Sequence, residues 1–108
     1  MGRFVVGDVV VVWFPFSNLK QAKRRPALVL ARGEFDNLIL CQITSKSYAS
    51  RSTIRVTATD FLVGKLPLTS FIRPDKLFTA DPSIIEKTVG RITPQLRKIV
   101  LARVRQLF

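Results

Sequence analysis

Six consecutive apolar residues, Val9–Phe14, constrain this chain more than any other feature. Read as a strand, they place Val9, Val11 and Trp13 on one face and Val10, Val12 and Phe14 on the other, because strand side chains alternate. A strand apolar on both sides is covered twice, by the core and by a second surface. In a chain of 108 residues a second copy is the ready source of that surface, so a homodimer is expected.

The next segment is of the opposite character. Lys20, Lys23, Arg24 and Arg25 lead to Pro26 and then to the apolar run Ala27–Ala31. The pattern predicts a basic loop up to Arg25 and a second strand over Pro26–Arg32. Proline fixes its own φ and biases Arg25 toward extended geometry, which holds that guanidinium at a strand mouth. Its planar fork suits bidentate contact with phosphate. A solvated basic turn is the plainer reading of the same residues.

Composition favours a polyanion as partner. Eighteen basic residues against seven acidic ones give a net charge of +11. Residues 1–32 hold six bases and one acid, and residues 61–108 hold nine and three, so the excess lies in both terminal parts. With 47% hydrophobic residues the chain folds around a core and carries this charge on its surface. One domain over residues 1–108 is expected. The apolar runs are too short to span a membrane and no cleavable signal pattern is visible, so the cytoplasm is the expected compartment. Cys41 falls in an apolar strand pattern and reads as core.

Several chemistries are excluded by what the chain lacks. It has no histidine and one cysteine, which removes a Cys- or His-based zinc centre, a His-dependent triad and a His–His ribonuclease mechanism. There is no glycine-rich phosphate loop. No metal site and no cofactor is expected, and any chemistry falls to Arg, Lys, Ser, Thr, Tyr, Asp or Glu.

Periodicity predicts further strands at Leu38–Thr44 and Thr53–Thr57, with a hairpin turn over residues 33–37. Short strands are expected at 60–62 and Leu68–Arg73, and an edge strand at Lys76–Thr79. Asp81-Pro82 predicts the start of a brief helix, broken at Gly90. Thr93 caps a final helix with Pro94 at its first position. Its stripe of Leu96, Ile99, Val100, Val104 and Leu107 packs on the sheet. The simplest architecture is mainly β, a small curled antiparallel sheet or partly open barrel closed by a C-terminal helix.

Taken in order, Gly7-Asp8, Val9–Phe14, Arg25-Pro26, Ala27–Leu30, Leu40–Ser45, Ser70–Leu77 and Gly90-Arg91-Ile92 resemble the MazF/PemK-like toxins, the ribonuclease components of type II toxin–antitoxin pairs. The resemblance spans nearly the whole chain. It implies a dimeric SH3-like small barrel and a sequence-specific, metal-independent endoribonuclease acting on single-stranded RNA. An acidic cognate antitoxin is the implied protein partner. Arg25 and Thr44 match the family's catalytic Arg and its Thr or Ser. The chain departs from some members in lacking an acidic residue just after the first strand, where Phe14-Pro15-Phe16 stands, and in its more basic loop.

The chemistry fits those residues. The substrate's own 2′-OH can attack the adjacent phosphorus, so the protein must align the attack and stabilise charge on the phosphorane. Arg25 would clamp the scissile phosphate and Thr44 orient an oxygen or relay a proton, with Ser45 a second hydroxyl. Thr44 bonding local backbone at a strand end is the alternative. Lys20, Lys23, Arg24, Lys46, Arg51 and Arg73 are candidate RNA contacts, and Tyr48 a candidate base-stacking residue. Trp13 and Phe16 read as core or dimer interface. A non-catalytic SH3-like nucleic-acid-binding module and a CcdB-like gyrase-directed toxin are the competing functions, since fold alone does not choose among them.

Overall fold

Strand β1, Asp8–Pro15, is the centre of the architecture. It pairs antiparallel with β2 (Ala22–Arg32) on one edge and with β7 (Ile85–Ile92) on the other. The computed structural model describes residues 4–15, 22–46 and 52–108. Its other strands are β3 (Leu38–Thr44), β4 (Ile54–Val56), β5 (Phe61–Gly64) and β6 (Ser70–Ala80), and one helix, α1 (Pro94–Arg105), ends the chain. All seven strands join one curled antiparallel sheet in the order β4-β6-β3-β2-β1-β7-β5.

Both faces of the sheet are buried, each by a different cluster. Val9, Leu28, Cys41, Ile43, Ile72 and Ile92 pack with Leu96 and Val100 of α1. Val10, Val12, Ala27, Val29, Leu38, Leu40 and Ala80 pack on the other side, under Phe4, Phe78, Ile84 and Ile85. Each large aliphatic side chain sealed this way contributes about 1.5–3 kcal/mol. Val9, Val10 and Val12 have no exposed surface within one chain. These three valines are therefore covered by their own chain and do not require the second copy that the sequence suggested, whereas Trp13 of the same strand stays 43% exposed.

Local chemistry explains where the elements differ from expectation. Residues 23–25 lie in β2 and not in a loop, because β1 extends far enough to pair with them: Val12 opposes Arg25, Trp13 opposes Arg24 and Phe14 opposes Lys23. Pro26 opposes Val11 of β1 and lies just past the β2–β3 ladder, which ends at Ala27, so on that edge it interrupts no ladder bond. The two short segments expected around Pro74 form one strand, β6, which lies inside the sheet between β4 and β3. A register shift between Cys41 and Gln42, opposite Leu77 and Arg73, places the proline in a bulge.

Asp81 does cap a turn, its Oδ1 accepting from the Ser83 N–H at 2.8 Å. That turn is one 3-10 turn, Pro82–Ile84, and the chain then enters β7 where a helix was expected. Gly90 is no helix breaker. A Cβ there would lie 2.6 Å from the Val63 carbonyl oxygen and 2.9 Å from the Phe61 ring, and one at Gly64 (φ +74°) 2.0 Å from the Val89 oxygen. These two glycines let β5 and β7 meet. In α1 the Thr93 hydroxyl accepts from Leu96 N–H at 3.3 Å. Leu96 and Val100 are buried with Leu101 and Val104 beside them, whereas Ile99 and Leu107 are about half exposed and are not part of the packed stripe.

The start of β1 is held by Asp8. Its carboxylate is almost fully buried, accepts from Val5 N–H at 3.0 Å, and pairs with Arg91 of β7 at 2.9 Å.

Two outcomes are expected from this packing. Gly90→Ala should destabilise the fold by roughly 1–3 kcal/mol, since the clashing atom is backbone and cannot rotate away. A thermal melt unchanged from wild type would refute the close approach. Burial pushes the Cys41 thiol up to about 12, so the folded chain keeps its proton. Any stability this thiol contributes is present below the ordinary thiol range and drains away as pH rises toward that value. At pH 8 Cys41 should react with Ellman's reagent only after denaturation, and prompt reaction of native protein would contradict its burial.

Candidate functional site

Arg25 and Thr44 lie at the end of the β2–β3 ladder. The ladder runs Val29 to Leu40, Leu28 to Cys41 and Ala27 to Gln42, and Arg25 and Thr44 each lie two residues past its last pair. Both line a cleft of about 510 Å³. Its walls are the ends of β2 and β3, residues 65–68 between β5 and β6, and Lys87 and Val89 of β7.

The cleft is basic over an apolar floor. Arg24, Arg25, Lys65 and Lys87 supply four cations, while Val11, Pro26, Ile43 and Leu66 are among its apolar residues. All seven Asp and Glu residues of the chain lie in the described segments, and none lines the cleft. Glu86 touches it indirectly, through a salt bridge to Arg24 at 2.9 Å.

Each polar group has a definite disposition. The Nε of Arg25 is shielded from solvent. Thr44 is buried, and its Oγ1 accepts the Lys46 backbone N–H at 3.2 Å. The local backbone bond of a strand-end threonine is thus present. It uses the oxygen as acceptor and leaves the hydroxyl proton to be donated, and accepting one bond strengthens the donation of another. Ser45 is exposed and also lines the cleft, just past the end of β3.

The remaining sequence candidates divide. Arg24 lines the cleft but is held by Glu86 and lies 5.7 Å over the Trp13 ring. Arg73 opposes Gln42 on β6, pairs with Asp75 at 2.9 Å, and is not a lining residue. Lys46 is exposed and likewise not a lining residue. Only the backbone of Lys23 is described, in β2, and Phe16, Lys20, Tyr48 and Arg51 lie outside the described residues.

Lys65 and Lys87 were missed by the sequence reading. Among the described residues neither forms an ion pair. They reach the cleft because Val11 opposes Lys87 and because Gly64 pairs with Gly90. No local motif marks them. The one signal available was the basic excess of the last third of the chain.

Comparison with known proteins follows the same lines. Among curated protein sequences none matches the chain. The structure is similar to MazE–MazF from Deinococcus radiodurans, with TM-score 0.76 and 19% identity over 94% of this chain and 92% of that one. It is similar to an endoribonuclease from a mycobacterial species solved with its cognate antitoxin, with TM-score 0.75 and 13% identity over 94% and 91%. The toxin MazF-mt6 of Mycobacterium tuberculosis gives TM-score 0.68 and 18% identity over 90% of each chain. These likenesses establish the fold. The family model of the PemK-like, MazF-like toxin of type II toxin–antitoxin systems matches residues 6–108. The chain belongs to that toxin family.

Proposed function

We propose that this chain is an endoribonuclease toxin that cuts single-stranded RNA through the substrate's own 2′-OH. One observation carries the reading: Arg25 and Thr44 line one cleft with three further cations and without a carboxylate. Such a lining attracts a phosphodiester chain and repels nothing along it. Its apolar floor lowers the local dielectric and strengthens each contact with phosphate.

The roles follow from donor chemistry. Arg25 donates its paired N–H groups to the equatorial oxygens of the phosphorane, where charge builds as the 2′-oxygen attacks. Thr44 donates its hydroxyl proton to an oxygen of the same phosphate and fixes its rotation for in-line attack. The products are a cyclic phosphate end and a 5′-hydroxyl end. Among the described residues no three His, Cys, Asp or Glu side chains are grouped to hold a metal ion, and the proposed reaction needs none.

Partners follow from the same surface. An acidic antitoxin segment would cover the basic cleft and compete with RNA, its association slowing as salt screens the charges. A second copy of the chain would cover exposed apolar residues such as Leu62, Val63 and Leu68. Among the described residues no helix is long and apolar enough to cross a membrane.

The deciding experiment uses a short RNA with deoxyribose at the cleaved nucleotide. Cutting there should stop while binding is kept, and cutting despite the missing hydroxyl would refute the mechanism. Arg25→Ala should cost about 3 kcal/mol of transition-state stabilisation, as does loss of one oxyanion donor. Thr44→Ala should lower kcat with little change in the thermal midpoint. Activity should persist in EDTA. RNA binding without cleavage by any preparation would identify a binding module instead.

A further inference from the structure

Trp13 is the one tryptophan of the chain, and it stands out within its strand. Val9, Val10 and Val12 are fully sealed while Trp13 is 43% exposed. An indole left half in water forgoes much of the burial that makes tryptophan useful to a core. Alternation puts Trp13 on the face of Val11, which lines the cleft, and opposite Arg24, which lines it too. Trp13 is not itself a lining residue; the next rung, Val12–Arg25, is a step of about 3.4 Å along the strand and turns to the other face.

The surroundings of the ring are ordered. The Arg24 guanidinium lies 5.7 Å from its centroid, a cation–π distance. Both carboxylate oxygens of Glu86 accept from the Arg24 Nη1, at 2.9 and 3.3 Å. At 55% side-chain exposure for Arg24 such an ion pair adds little stability. What it does is hold a planar cation against the indole at the rim of a cleft lined with phosphate-binding groups.

We propose that Trp13 is a stacking platform for an unpaired base at the rim of the cleft, on the face of Val11 and Arg24, with Arg24 and Glu86 fixing the indole. This rests on the reading of the cleft as an RNA site. Single-strand binders combine a cationic track for the backbone with aromatic faces for the bases. Here Arg25, Lys65 and Lys87 form the track and Trp13 supplies the face. Stacking is tolerant of base identity, so Trp13 sets affinity and register along the strand while other contacts choose the sequence.

The lone tryptophan makes the test direct, since all indole fluorescence reports this site. The probe is a 2′-O-methyl decamer of randomised sequence, which binds but cannot be cut through a 2′-OH. Its control is a decamer of abasic sugar–phosphate units with the same charge. Binding of each is followed separately by the anisotropy of a terminal dye. The base-bearing decamer should quench Trp13 emission saturably, and the abasic one should bind without quenching it. Trp13→Leu should raise KM for RNA cleavage about tenfold, with the larger share of the effect in KM and not kcat; that is about 1.4 kcal/mol, within the range of base–aromatic stacking. Trp13→Phe should recover most of it.

Equal emission changes with both decamers, or none while the base-bearing decamer is bound, would overturn the proposal and leave the RNA reading intact. Emission that shifts with protein concentration alone would place Trp13 between two copies and overturn it as well. If neither decamer binds and no RNA is cut, the RNA reading fails, and this inference falls with it.

Discussion

The pairing of β1 on both edges is the constraint on which the rest of the molecule depends. One edge sets Arg24 and Arg25 at fixed heights on β2, and the other sets Lys87 on β7. The two faces of β1 seal both hydrophobic clusters. A one-residue slip in such a strand would exchange its faces, moving Val9 out of the helix-side cluster and changing which β1 residue opposes Arg25. The strand has little freedom to slip, because Asp8 anchors its start to Arg91 and Val5. The same residues therefore hold the fold together and set the geometry of the cleft.

Charge around the cleft is arranged by kind. Arg24 carries its own counter-ion, Glu86, and lies 5.7 Å over the Trp13 ring. Lys65 and Lys87 form no ion pair among the described residues. A phosphate approaching the lysines meets charges with no internal competitor, whereas at Arg24 it must compete with a carboxylate already in place. The lysines are thus suited to attraction at a distance, and Arg24 to holding its neighbour.

Legibility in the sequence tracks how local the determining interaction is. Strand β3 was read with both ends right, because its alternation and the turn before it are self-contained. The Thr93-Pro94 start of α1 is legible for the same reason, since its cap is made within three residues. Around Asp81 the local signal is real, as the bond to Ser83 shows, but it governs a single turn before pairing with β1 takes over. Pro74 broke the pattern of β6 in sequence and not in space, because a bulge absorbs it. Pro26 was taken for the start of β2, although the pairing of Lys23–Arg25 with β1 extends that strand backward. Arg25 and Thr44 are named through a family resemblance, and both line the cleft. Lys65 and Lys87 lie too far from them in sequence for any motif to join them.

The make-up of the cleft also limits how a reaction there would handle its proton. Guanidinium and ammonium groups remain charged through the neutral range, and a threonine hydroxyl with its oxygen already accepting is suited to donate. On the proposed mechanism, then, no lining side chain takes the 2′-OH proton, and the rate comes from alignment and charge stabilisation. The acid nearest by contact, Glu86, is the one candidate base, and it is engaged with Arg24. The two cases separate in a Glu86→Gln variant. With no side-chain base, kcat/KM should keep rising with pH from 5 to 8, because hydroxide or water removes the proton. With Glu86 as base, Glu86→Gln should abolish activity. We expect the continued rise, with Glu86→Gln keeping most activity. Loss of activity in Glu86→Gln would move the acid–base role to the residue assigned here to hold Arg24.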